Sequence, residues 1–136
     1  MAINRIYVDA QVERSLTNLK ARTGLTPNLL CRIGFCMSLA EPGVPEPSLY
    51  NEGNAREFNM QTLTGDYNEF FFALLRQRLV QDELDIDAHL ESQFKAHISR
   101  GVLRLDLRVK NLEDITRLIA EAQERHNQID GVPTSG

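Results

Sequence analysis

His89 and His97 lie eight residues apart, with Asp82, Asp85 and Lys95 close by in sequence. Metal-dependent or nuclease chemistry draws on residue types of this kind. Eight positions along a helix turn through about 80°, so both imidazoles would share one broad face, and Asp85 would sit one turn before His89. The same spacing describes surface histidines on a charged helix. Cys31 and Cys36 are five apart, about 500° of helical turn, which points them away from each other and argues against a disulfide. They read as core residues in a reduced, cytoplasmic compartment. The sequence has no Walker glycine loop, nucleophile elbow, zincin histidine pair or paired CxxC cluster. No catalytic residue, metal ligand or cofactor is therefore assigned.

The basic residues carry a stronger signal. Across 136 residues the formal net charge is -4, from 15 basic and 19 acidic side chains, a balance that by itself argues against a polyanion binder. The distribution reverses that lean. Residues 1–36 carry Arg5, Arg14, Lys20, Arg22 and Arg32 against Asp9 and Glu13, whereas residues 37–69 carry Arg56 alone against six carboxylates. A basic head thus precedes an acidic middle. Arg100, Arg104 and Arg108 recur at steps of four, so they share one face whether the segment is helix or strand. Arg5 and Tyr7 on a strand, with a helix N-terminus at Thr26 and Asn28, would supply base or phosphate contacts.

The elements that must position these groups follow from periodicity. Ile3 to Val8 is β-rich, with Ile6 and Val8 at core spacing and Arg5 and Tyr7 opposite. One strand cannot satisfy its own edges, so it requires a later segment or a second copy. Asp9 suits an N-cap; Val12, Leu16 and Leu19 then define an amphipathic helix that Gly24 ends. Thr26-Pro27 opens a second helix, whose wide apolar stripe from Leu29 to Ala40 suggests contact with another subunit.

Residues 41–65, rich in proline and glycine, read as one long loop, with Phe58, Met60 and Leu63 pinning its end. Asp66 is a candidate cap for a third helix through Val80, and Asp85 for a fourth through Ile98. Beyond Gly101 the alternation of Leu103, Leu105 and Leu107 with charged residues suits a strand, while Ile98, Val102 and Leu105 continue a helical stripe; period alone leaves both open. Leu112 to Ala122 define a terminal helix, and residues 127–136 read as a flexible tail. The expectation is a mainly α fold with a short N-terminal strand: a single helical domain over 1–126, with no stretch apolar enough to span a bilayer.

A strand, a helix of about 14 residues and a second helix opened at Gly-Leu-Thr-Pro resemble the start of a ribbon-helix-helix protein, in which two chains pair their strands. More narrowly, the run from Leu16 to Leu39 (LTNLKARTGLTPNLLCRIGFCMSL) resembles the DndE family of DNA sulfur modification proteins, as does Ala96 to Leu103 (AHISRGVL). The likeness covers about residues 5–122. It implies a small, self-associating helical protein, a tetramer, that works with DndC and DndD in replacing a non-bridging phosphate oxygen of DNA by sulfur, and that binds duplex and nicked DNA through basic residues. It favours helix over 96–109. By position it carries DNA contacts onto Lys20, Arg22, Arg32 and Arg100; with Arg5 and Arg104 these are the candidate DNA-binding residues.

Sulfur transfer needs an activated carrier and an energy source, and neither an activated thiolate nor a nucleotide loop is evident here. The expected function is therefore non-enzymatic: a DNA-binding subunit that positions duplex or nicked DNA for partner enzymes. The proline-rich loop and the acidic middle suit a rival, a protein scaffold with little DNA contact. A DNA-nicking enzyme using His89 and His97 is a second, and a sequence-specific ribbon-helix-helix repressor a third.

Overall fold

The computed structural model describes residues 3–130, the side chains at 126 and 128–130 excepted. Its elements are β1 (Arg5–Val8), α1 (Ala10–Thr23), α2 (Pro27–Ala40), β2 (Arg56–Asn59), α3 (Met60–Thr64), α4 (Asn68–Gln81), α5 (Ile86–Arg108) and α6 (Leu112–Asp130), with single 3-10 turns at Pro47–Leu49 and Gly65–Tyr67. The fold is mainly α, and a strand-helix-helix run opens it.

Local chemistry sets most of the boundaries. Asp9 caps α1, its Oδ1 accepting the Val12 amide at 3.0 Å, and Gly24 ends that helix in the left-handed region at φ 79°. Thr26 caps α2 with Pro27 in the first turn. Asp85 caps α5 through the Ala88 amide at 2.9 Å. Asp66 is not a cap: it lies in the turn before α4, which begins at Asn68 without a side-chain cap.

β1 finds its partner within the chain. It pairs antiparallel with β2, Ile6 opposite Phe58 and Tyr7 opposite Glu57, with Ile6, Val8 and Phe58 buried beneath the two-stranded sheet. The second Asp9 carboxylate oxygen accepts the Glu52 amide at 3.1 Å, tying the returning segment to the start of α1. The stretch over 41–65 is therefore not one featureless loop; it supplies β2 and α3 as well as a 3-10 turn.

α5 is the axis on which the other elements pack. Leu90, Phe94, Ile98, Val102 and Leu105 are buried along it, so the helical stripe prevails over the alternation beyond Gly101 and the helix runs on to Arg108. α2 crosses α5 at two glycines. A Cβ on Gly101 would fall 1.7 Å from the Gly34 carbonyl oxygen, and one on Gly34 would fall 2.8 Å from the Val102 amide. Only hydrogen fits between these backbones. Phe35 fills the space beside the crossing, with ring centroids 5.2 Å from Phe94 and 5.6 Å from Phe71. α6 lies at the margin, and Ile115 is its one buried side chain among the described residues. That helix continues to Asp130, past residue 126; the rest of the expected tail, 131–136, lies outside the described residues.

Candidate nucleic-acid interface

Arg32, on the outer side of α2, donates from Nε to the Leu63 carbonyl at 2.5 Å and from Nη2 to that of Thr62 at 3.2 Å. It thereby satisfies the C-terminal end of α3. The remainder of its guanidinium faces an apolar groove between α2 and α6, floored by Ile33, Met37, Ile115 and Leu118 and also rimmed by Arg108 and Arg125. A second hollow adjoins it, lined by Glu41, Arg104, Arg108 and Arg125. Arg104 pairs with Glu41 at 2.9 Å and Arg108 with Glu121 at 3.6 Å, while Arg125 forms no ion pair among the described residues. Four arginines from three helices thus edge two contiguous hollows, with two carboxylates to offset them. That excess of positive charge is partly exposed and available to an anionic surface.

Arg100 lies behind this cluster and is only 7% exposed. Its Nη2 donates to the Ser38 carbonyl at 2.8 Å, Nη1 to that of Gly43 at 3.0 Å, and Nε to the Ser38 hydroxyl at 2.9 Å. Arg78, from α4, joins it from the other side. Its donors reach the carbonyls of Leu39 at 2.8 Å, Glu41 at 3.1 Å and Gly43 at 2.6 Å, and it pairs with Asp82 at 2.8 Å. The end of α2 presents unpaired carbonyls and the negative end of the helix dipole, and two buried guanidiniums meet it there. Burial holds Arg100 below the usual arginine range even though Glu41 opposes that shift. A phosphate could reach Arg100 only by displacing these carbonyls and the Glu41 carboxylate, which lies 2.8 Å from its Nε.

The other expected contacts are dispersed. Arg5 pairs with Glu57 at 3.3 Å, and the Tyr7 hydroxyl donates to the same carboxylate at 2.8 Å. Arg22 pairs with the Asp106 carboxylate and donates to its backbone carbonyl at 3.2 Å, while Ser15 donates to the other carboxylate oxygen at 2.8 Å. These bonds stitch α1 to α5. Lys20 is exposed and forms no ion pair among the described residues; it shares a shallow hollow with Arg56, itself paired with Glu13 at 3.1 Å. Of the six candidates, then, Arg32 and Arg104 come together, Arg100 stands behind them, and Arg5, Lys20 and Arg22 lie elsewhere.

The titratable candidates for chemistry are equally dispersed. His97 is fully buried, its Nδ1 2.8 Å from the Ser38 hydroxyl that also accepts from Arg100. Burial first, then the nearby charges of Arg100 and Arg78, push it down to about 3. Asp85 is occupied as a cap, and no group of three His, Cys, Asp or Glu residues suited to a metal ion occurs among the described residues. Both cysteines are free; Cys31 is a core residue as expected, whereas Cys36 is exposed, on the side of α2 turned away from the core. Burial pushes the Cys31 thiol up to about 12, the reverse of what a nucleophilic thiolate needs.

No pattern in the sequence marks Arg78 or Arg125 as part of these clusters. Arg78 sits in a helix of mixed pattern, and the group it meets is a turn almost forty residues away. Arg125 enters the cluster only because α6 folds back beside α2, a contact that no local pattern encodes.

Comparison with known proteins assigns these features a context. The sequence pattern of a family described as DNA sulphur modification protein DndE matches residues 5–113. The crystal structure of DndE from Escherichia coli B7A, involved in DNA phosphorothioation modification, superposes with a TM-score of 0.64 at 26% identity, covering 77% of this chain and 98% of that one. A glycine-to-lysine mutant of DndE superposes at a TM-score of 0.60 with 23% identity, over 77% and 99% of the two chains, a likeness of fold. No curated protein sequence matches.

Proposed function

Because this chain belongs to the DndE family of DNA sulphur modification proteins, we propose that it serves as the non-enzymatic DNA-binding subunit of a phosphorothioation complex. In this role it positions duplex or nicked DNA for partner enzymes of the DndC and DndD kind. The arginine cluster around the α2–α6 groove carries the reading: Arg32, Arg104, Arg108 and Arg125 edge contiguous hollows. Guanidiniums held by helices at several points suit successive phosphates of one backbone. Lys20, exposed and without an ion pair among the described residues, offers a separate contact on α1, away from the cluster. Arg100 acts at one remove, by holding the turn at residues 38–43 and with it Glu41, which orients Arg104.

Self-association to a tetramer in the cytoplasm, as the resemblance implies, would repeat the cluster along a duplex and raise avidity. Exposed Tyr67, Phe70 and Leu107 leave apolar surface for that association. No helix among the described residues is long and apolar enough to cross a membrane.

The test is a gel-shift series on intact, nicked and single-stranded DNA across salt, with the mass in solution measured first. Replacing Arg104, Arg108 and Arg125 together by alanine should weaken binding to all sequences alike and reduce the slope of log K against log salt by about 2 to 3. An unchanged slope in a folded variant would refute the assignment. A second reading, a protein scaffold with little DNA contact, draws support from the apolar floor of the same groove. Retention on bare nicked duplex at near-physiological salt, without partners, separates the two.

A further inference from the structure

Among the described residues, β1 is paired on one side only. Its register with β2, closed by the Met60 amide on the Asn4 carbonyl at 3.0 Å and the Ala55 amide on the Val8 carbonyl at 2.9 Å, turns the main-chain groups of Asn4, Ile6 and Val8 toward β2. Antiparallel geometry then aims the N–H and C=O of Arg5 and Tyr7 the opposite way, and none of the four has a hydrogen-bond partner among the described residues. An open strand edge of this kind is a template for another strand, which folded proteins ordinarily cover or blunt.

This edge is neither flat nor bare. A groove of about 540 Å³ runs along it, with Arg5 and Tyr7 on one bank, Ser92 and Lys95 of α5 on the other, and Tyr50 and Asn51 of the returning loop closing one end; no β2 residue lines it. From this geometry we infer that β1 takes up an extended polypeptide segment from a partner protein as a third, edge strand of the sheet. The segment pairs its own main chain with that of Arg5 and Tyr7.

Main-chain pairing supplies affinity in such additions, and the walls supply choice of side chain. Lys95 has no ion pair among the described residues, whereas Glu91, one turn earlier on α5, lines the same groove; an acidic side chain therefore suits the position above Lys95 and a hydroxyl the position above Glu91. The walls also select the kind of visitor. A free extended segment enters between β1 and α5, whereas β1 of a second copy arrives with its own α5 behind it and meets this α5 first. The site is separate from the arginine cluster, so it stands or falls independently of the DNA reading.

The experiment uses the full chain and acetylated heptapeptides that alternate glutamate or threonine with valine, leucine or tyrosine. Amide exchange in the free chain should be fast at Arg5 and Tyr7 and slow at Ile6 and Val8. A bound peptide should slow Arg5 and Tyr7 at least tenfold. The same peptide N-methylated on the amides that face β1 should lose binding at least tenfold, while N-methylation on the alternate amides should not. Ser92→Tyr (S92Y), at an exposed position, should fill the groove and abolish peptide binding while leaving the circular dichroism spectrum and DNA retention unchanged; Lys95→Glu (K95E) should weaken the glutamate peptides selectively. Three results would overturn the proposal: no protection of Arg5 and Tyr7 by any peptide, protection already present in the free chain and lost on dilution (a second copy on the edge), or displacement of the peptide by duplex DNA.

Discussion

His97 couples the stability of the fold to pH. Its Nδ1 lies 2.8 Å from the Ser38 oxygen, which accepts from Arg100, and its Nε2 has no partner among the described residues. Folded His97 stays neutral down to about 3, whereas in the unfolded chain it protonates near its ordinary value of about 6.5. The folded value is the lower one, so this residue's contribution is complete above about 6.5 and is lost as pH falls toward 3. Within that window it should steepen the decline of unfolding free energy by about 1.4 kcal/mol per pH unit. Urea unfolding at a series of pH values should show this slope in the native chain, and His97→Gln (H97Q) should remove it. Equal slopes in the two proteins would mean that His97 titrates freely. The spacing in the sequence suits a surface histidine on a charged helix, and the structure buries it instead. The four-residue steps of Leu90, Phe94 and Ile98 locate a buried face beside it, and of the two arginines that lower its basicity Arg100 stands three residues along the same helix while Arg78 arrives from α4.

At the scale of elements, the α2–α5 crossing limits everything that can be built above it. Gly34 and Gly101 bring two helix backbones into contact, and the cluster arginines on both helices inherit their spacing from that contact. Gly101→Ala (G101A) places a methyl where the Gly34 carbonyl now sits, and backbone cannot yield as a side chain tip can. The helices must separate, at a cost of at least about 3 kcal/mol, the upper part of the range for overpacking. Thermal unfolding should register this as a large loss of Tm; a small change would mean that α2 slides without penalty. The starts of α1, α2 and α5 and the end of α1 were legible because Asp9, Thr26, Asp85 and Gly24 act within three or four residues of themselves, whereas the end of α5 was not, its period beyond Gly101 fitting strand as well as helix. Nor was the union of β1 with β2. It joins segments some fifty residues apart, and a four-residue strand inside a proline-rich stretch has too short a period to stand out. The requirement of β1 for a partner strand was readable; the identity of that strand was not.

For the whole molecule, net charge and chain length describe the function less well than the distribution of arginines between two tasks. Arg22, Arg78 and Arg100 are used inward, to join α1 to α5 and to hold the end of α2, while Arg32, Arg104, Arg108 and Arg125 edge the outer hollows. Sequence periodicity places Arg100 and Arg104 on one ridge, but it cannot decide which of the two is covered, because that depends on the turn at residues 38–43 folding over one and not the other. α6 separates the tasks cleanly. It buries Ile115 alone among its described side chains, yet it completes the groove and contributes Arg125. A chain ended after Asn111 should therefore still unfold cooperatively, since α1, α2, α4 and α5 keep their mutual packing, with Tm lowered by a few degrees for the loss of one buried isoleucine. Its DNA affinity should fall further than its stability, and the salt slope should drop by about 1 for the missing Arg125 contact. Calorimetry and salt-dependent gel shifts on the shortened chain measure both. Cooperative unfolding with an unchanged salt slope would remove α6 from the DNA face, and loss of cooperative unfolding would make α6 part of the core.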